Sequence, residues 1–120
     1  MKASLRFAAL TSLASFVAAG RCEGFVTPNG AVINTAIKCF SFLENLLAEN
    51  DFTDYQQMTG IEAGQSSECL WYPGDNPTAE DFEAAREDVI QSCLRSPLFH
   101  QVGWGFSNGN GLFFRYLGHP

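Results

Sequence analysis

The stretch Val102–Leu117, "VGWGFSNGNGLFFRYL", decides the fold. Two apolar runs, Val102–Phe106 and Leu112–Leu117, flank "SNGNG". Its Asn-Gly steps tolerate the positive φ that a tight hairpin demands. The spacing predicts a closing β-hairpin, with a five-residue connection long enough to admit a bulge. In the second strand both faces are largely apolar. Leu112, Phe114 and Tyr116 fall on one side, and Phe113 and Leu117 with Arg115 fall on the other. A sheet covered by helices on one side uses only one of these faces.

Two amphipathic helices are available to cover it. From Ala31 to Glu49 the apolar residues Val32, Ile33, Ala36, Ile37, Phe40, Leu43, Leu46 and Leu47 recur at threes and fours, which is a wide helical stripe. Thr27-Pro28 ahead of it suits an N-cap followed by the first helical residue. The second helix opens at "TAED" (Thr78–Asp81), a variant capping box with Asp in place of Glu. Phe82, Ala85, Val89 and Cys93 then share one face, widened by Ile90 and Leu94, and Arg95-Ser96-Pro97 stops it. "RCEGFV" (Arg21–Val26) and "ECLWY" (Glu68–Tyr72) read as short strands. Asp51–Met58 is mixed, and Gly60–Ser67 reads as a surface loop. The order predicts an α+β fold, a two-layer sandwich of a small antiparallel sheet with both helices on one face.

The N-terminus predicts the compartment. Lys2 and Arg6 precede an apolar, small-residue run from Phe7 to Ala19 that ends in "VAAG", the pattern of a secretory signal peptide over residues 1–20. The run is shorter than the roughly 20 residues that a bilayer needs, so no stable membrane insertion is expected. Residues 21–120 then form a single small domain. The whole chain carries 7 Lys/Arg and 13 Asp/Glu. Removal of residues 1–20 takes away two of the bases and none of the acids, leaving a formal charge of −8. Such acidity argues against nucleic acid as a partner, because phosphate neutralisation dominates that affinity.

All four cysteines, Cys22, Cys39, Cys69 and Cys93, lie in the mature part and read as two disulfides. Their wide spacing lacks the close ligand pairs of a zinc site, and no metal or cofactor is expected. With both helices over one core, Cys39 and Cys93 would meet there and leave Cys22 to Cys69. Sequence alone permits three pairings.

Taken in order, "RCEG", "IKCFSFLENL", "SECLWY", "DFEAAREDVIQSCL" and "NGLFFRYLG" resemble fungal killer-toxin-like secreted proteins. The smut-fungus killer toxin family (killer protein four) frames two helices with an early "NCRG"-like start and a late strand after Gly. The necrosis-inducing effectors related to extracellular protein two of a tomato leaf mould carry a Cys in the first helix and a "C-x-F/W" strand, to which "KCFSFL" and "ECLW" are similar. The chain keeps only part of the smut type's "C-G-S-x-P", in "CLRSPLF". It places its last Cys within the second helix, where the leaf-mould type places it beyond. The resemblance implies a toxin or effector, not an enzyme, whose partner is a protein or surface component of a host or competitor cell.

Two other classes have parts present. A small ribonuclease would draw on His100, His119, Glu68 and Arg115, but His119 is next to last in the chain and the acidity repels RNA. A carbohydrate- or protein-binding module would use the many aromatics, among them Trp71, Tyr72, Trp104, Phe106, Phe113, Phe114 and Tyr116. The outward side of the hairpin, with Trp104, Phe113 and Arg115, is the candidate contact surface.

Overall fold

The computed structural model describes residues 21–26, 30–95 and 98–119. The segment 1–20 read as a signal peptide, the expected Thr27-Pro28 helix start and the expected Ser96-Pro97 stop lie outside these residues. The chain runs β1 (Cys22–Val26), α1 (Gly30–Glu49), β2 (Gln56–Glu62), β3 (Gln65–Tyr72), α2 (Ala79–Cys93), the two-residue β4 (Leu94–Arg95), β5 (Leu98–Ser107) and β6 (Asn110–Gly118). All ladders are antiparallel, and the strand order is β1-β5-β6-β3-β2, with β4 pairing β5. The two helices and the sheet form the expected two-layer α+β architecture.

Both hairpins are tighter than the sequence suggests. Ser107 pairs with Asn110, so the closing turn is Asn108-Gly109 alone, at φ 51° and 82°. This is the left-handed pair that matches the twist of the flanking strands. Gly60–Ser67 is not a loop. Glu62 pairs with Gln65, and Ala63-Gly64 turns the chain at φ 52° and 79°. The strand signal is weak there because β2 is an edge strand of mostly polar residues interrupted by Gly60. The "TAED" capping box is present: Asp81 N–H donates to Thr78 Oγ1 at 3.2 Å, and Thr78 N–H donates to Asp81 Oδ2 at 3.0 Å.

Residues opposite one another across a ladder share a face. Met58, Cys69, Phe114, Gly103 and Cys22 therefore form one rung across five strands, facing the helices. The next inner rung is Gln56, Trp71, Leu112 and Gly105. Phe114, Leu112, Trp71, Phe40, Leu43, Phe82 and Val89 are fully buried between the layers. The glycines on this face let the helices settle. A Cβ on Gly60 would lie 2.5 Å from the carbonyl oxygen of Thr35 in α1, and one on Gly105 would lie 2.0 Å from that of Ala85 in α2.

The disulfides are Cys22–Cys93 and Cys39–Cys69, which corrects the expected Cys39–Cys93 and Cys22–Cys69. The helices divide the sheet between them. α1 packs on β2 and β3, and α2 on β5. Cys39 therefore meets Cys69 on β3 directly beneath it. β1 joins the sheet at the free edge of β5, with Cys22 opposite Gly103, which brings Cys22 under the end of α2. Gly103 leaves the space that bridge needs, since a Cβ there would lie 2.5 Å from Cys93 Sγ.

Asp81 fastens α2 to the closing hairpin as well as to its own cap. It is 7% exposed and accepts hydrogen bonds from Asn108 Nδ2 at 2.7 Å and Ser107 Oγ at 3.2 Å. Burial alone would raise its pKa, but the bonds from Asn108, the Thr78 backbone and Ser107 outweigh burial and hold it below the ordinary carboxylate value. The stabilisation is therefore fully present above the unfolded pKa of about 3.9. It is lost as the pH falls through the lower folded value. Asp81→Asn is expected to cost about 1–3 kcal/mol at pH 7, with the gap to wild type narrowing near pH 2.5. Urea unfolding at the two pH values measures this. An unchanged gap would place the contribution of Asp81 outside its charge.

Candidate functional site

The outer face of the sheet carries no helix among the described residues. Its central rung is Gln57, Leu70, Phe113 and Trp104. Towards the closing turn comes the rung Tyr72, Gly111 and Phe106. Away from it comes Thr59, Glu68, Arg115 and Val102. Tyr55, just ahead of β2, leans onto Tyr72 of the turn-side rung.

The aromatic rings form a connected set. Tyr55 and Tyr72 meet edge-on at 4.9 Å between centroids, Tyr72 and Trp104 lie 5.3 Å apart, and Trp104 and Phe113 lie 4.9 Å apart. Trp104 and Phe106 are parallel within 8° at 5.8 Å. The Arg21 guanidinium lies 5.5 Å from the Phe106 centroid while it pairs with Asp88. Gly111 opens room for the indole: a Cβ there would lie 3.1 Å from Trp104 Cζ3 and 3.3 Å from Phe106 Cε1. Despite these contacts Tyr55 is 50% exposed, and Tyr72 and Phe106 are each 44% exposed. The hydrogen bond between the two phenols, ahead of burial and charge effects, raises the pKa of Tyr55 above its ordinary value.

The polar rung is electrically balanced. Arg115 is hydrogen-bonded and ion-paired to Glu68 across the β3–β6 ladder. Elsewhere Lys38 pairs with Glu62 at 2.7 Å and Arg86 with Glu44 at 2.7 Å. Of the five Lys/Arg among the described residues, four are thus in ion pairs, and Arg95 bonds Gln91.

Trp104, Phe113 and Arg115 lie together on this outer face, Trp104 directly opposite Phe113 and Arg115 one rung away. The four cysteines lie in the two disulfides beneath the helices. The aromatics noted in the sequence divide by strand parity. Trp71 and Phe114 are buried on the inner face with Tyr116 half-buried beside them, while Tyr72, Trp104, Phe106 and Phe113 face out. Tyr55, Leu70 and Gly111 complete the outer patch. Of these, Leu70 was legible from its alternation with Trp71, whereas Tyr55 lies ahead of a strand that carries little signal. The ribonuclease parts are placed apart in role: Glu68 and Arg115 bond one another, the His100 Nδ1 lies 3.3 Å from the Cys93 carbonyl oxygen, and His119 is exposed after β6. Among the described residues no group of three or more His, Cys, Asp or Glu is placed to hold a metal ion.

The class that this geometry defines is a disulfide-bonded α+β sandwich with one bare, aromatic sheet face. Comparison of the chain with family models, with curated proteins and with solved structures finds no match to any of them.

Proposed function

We propose that this protein is a secreted toxin or effector that acts by binding a component of a host or competitor cell through the outer face of its sheet. The observation that carries the reading is the exposed ring set around Trp104 on a sheet whose other face already holds both helices. Exposed aromatic patches of this kind mark interaction sites more often than they decorate a surface. Two disulfides in so small a domain suit an oxidising, extracellular setting, in keeping with the signal-peptide pattern of residues 1–20 and the killer-toxin resemblance.

The test is addition of the purified oxidised protein to plant tissue and to competing fungi, with paired variants of β6. Phe114 is fully buried, so Phe114→Ala is expected to cost about 3–5 kcal/mol as a core truncation. Phe113→Ala removes an outer ring contact and is expected to cost only about 1 kcal/mol yet to abolish cell death or growth arrest, as loss of an aromatic anchor does. Full activity in a folded Phe113→Ala protein would remove the outer face from the mechanism. Inertness of the wild type on every cell tested would remove the toxin and effector reading itself.

A further inference from the structure

The aromatic patch adjoins a row of hydrogen-bonding groups. Thr59, Glu68 and Arg115 form the next outward rung, about 7 Å along the strands from Phe113 and Trp104, and Gln57 ends the ring-bearing rung itself at the β2 edge. Such a surface offers flat apolar rings in one strip, ended by an amide, and hydroxyl, carboxylate and guanidinium groups in the next. A polysaccharide has the complementary pattern, apolar C–H faces on its sugar rings and hydroxyls along its edges. We propose that the outer face binds an uncharged polysaccharide, its sugar rings stacked on the group around Trp104 and its hydroxyls bonded to the polar row. This rests on the binding reading above and names the surface component.

Charge narrows the choice of ligand. The chain from Arg21 onward has a formal charge of −8, and the cations at this face are paired, Arg115 with Glu68 and Arg21, beside Phe106, with Asp88. An anionic polymer or lipid surface finds, among the described residues of this face, no unpaired Lys or Arg to repay its desolvation. A second copy of the chain brings the same negative charge and is repelled. An uncharged, hydroxyl-rich partner meets neither obstacle.

Shape and order point the same way. The anchors of a protein partner seat in pockets, but this face is an open sheet. A depression of about 400 Å³ lies away from this face, beside α1, lined by Asn34, Ile37, Lys38, Ser41, Phe42 and Glu62. The rings hold one another in place from Tyr55 through Tyr72 to Trp104, and Arg21 backs Phe106. Few rotamers are therefore left to freeze when a ligand arrives.

The experiment uses the oxidised protein from Arg21 onward. Its depletion onto insoluble chitin, β-1,3-glucan and cellulose is measured, together with tryptophan fluorescence on titration with the soluble hexamers of each. Trp71 is buried with its Nε1–H bonded to the Phe52 carbonyl at 2.8 Å, so a ligand-dependent change reports Trp104. Binding to at least one polymer is expected, with affinity at least tenfold lower in Trp104→Ala and several-fold lower in Arg115→Ala. Phe106→Ala, at an exposed position, serves as the second variant if Trp104→Ala does not fold. No depletion and no fluorescence change with any of the three overturns the inference, as does undiminished binding by the folded variants. A dimer in sedimentation that Trp104→Ala abolishes would assign the face to a second copy. If Trp104→Ala abolishes cell activity while no polymer binds, the binding reading stands and the polysaccharide falls. If a polymer binds while cells are unaffected, the polysaccharide stands and the toxin or effector reading falls.

Discussion

Gly105→Ala is expected to leave no cooperatively folded protein. The new methyl would stand 2.0 Å from the Ala85 carbonyl oxygen and 2.7 Å from the Val89 nitrogen, both main-chain atoms of α2. Overpacking costs about 1–3 kcal/mol when side chains can yield. Here the whole helix must lift, carrying Phe82, Ala85 and Val89 off the sheet, and the loss should exceed about 4 kcal/mol. Gly111→Ala is the control. Its methyl points to the opposite face, where its three nearest neighbours are ring atoms of Trp104 and Phe106, at 3.1–3.3 Å. Urea unfolding followed by circular dichroism should separate the two. Comparable stability for both would mean that α2 does not rest on Gly105.

Reduction of both disulfides is expected to unfold the domain at 37 °C. Cys22–Cys93 spans 71 residues and Cys39–Cys69 spans 30. Chain entropy assigns them about 4.5 and 3.5 kcal/mol respectively. Together that is comparable with the entire stability of an ordinary small domain, about 5–15 kcal/mol. Loss of near-ultraviolet circular dichroism in dithiothreitol, with recovery on reoxidation, is the expected result. A reduced protein that keeps its native spectrum and melts cooperatively at 37 °C or above would show that the core suffices. Peptide mapping of the oxidised protein should recover Cys22 joined to Cys93.

The parts of this fold that were legible in the sequence are those whose signal is local. The stripe of α1 and the Thr78–Asp81 cap appear where expected, and the closing hairpin turns within "SNGNG", although over Asn108-Gly109 alone and not over all five residues. Strand parity also placed Phe113 and Arg115 away from the helices, because period-two alternation is a local property. What was not legible depends on where distant segments meet. Cys22 pairs with Cys93 because β1 chose the β5 edge, and nothing in "RCEGFV" states that choice. Gly60, Gly103 and Gly105 read as turn formers or weak strand residues, yet they are the points where helices and a disulfide press on the sheet. Tyr55 joins the aromatic face only because β2 is a strand, and its "QQMTGIE" has too few apolar residues to announce one.

The place of β1 also sets an order of assembly. α1, β2 and β3 are consecutive, and their disulfide closes a loop of 30 residues. The first strand has no neighbour until β5 exists, because its partners are Phe99 to Gly103. Non-local pairing of this sort slows folding, since the entropy of closing the long loop is lost before the contacts return it. Of the described strands, the first in the chain is thus one whose partner lies more than 70 residues further on. The two bridges differ accordingly in reach: Cys39–Cys69 ties neighbouring elements across 30 residues, whereas Cys22–Cys93 spans 71 and fastens the first strand beneath the end of α2.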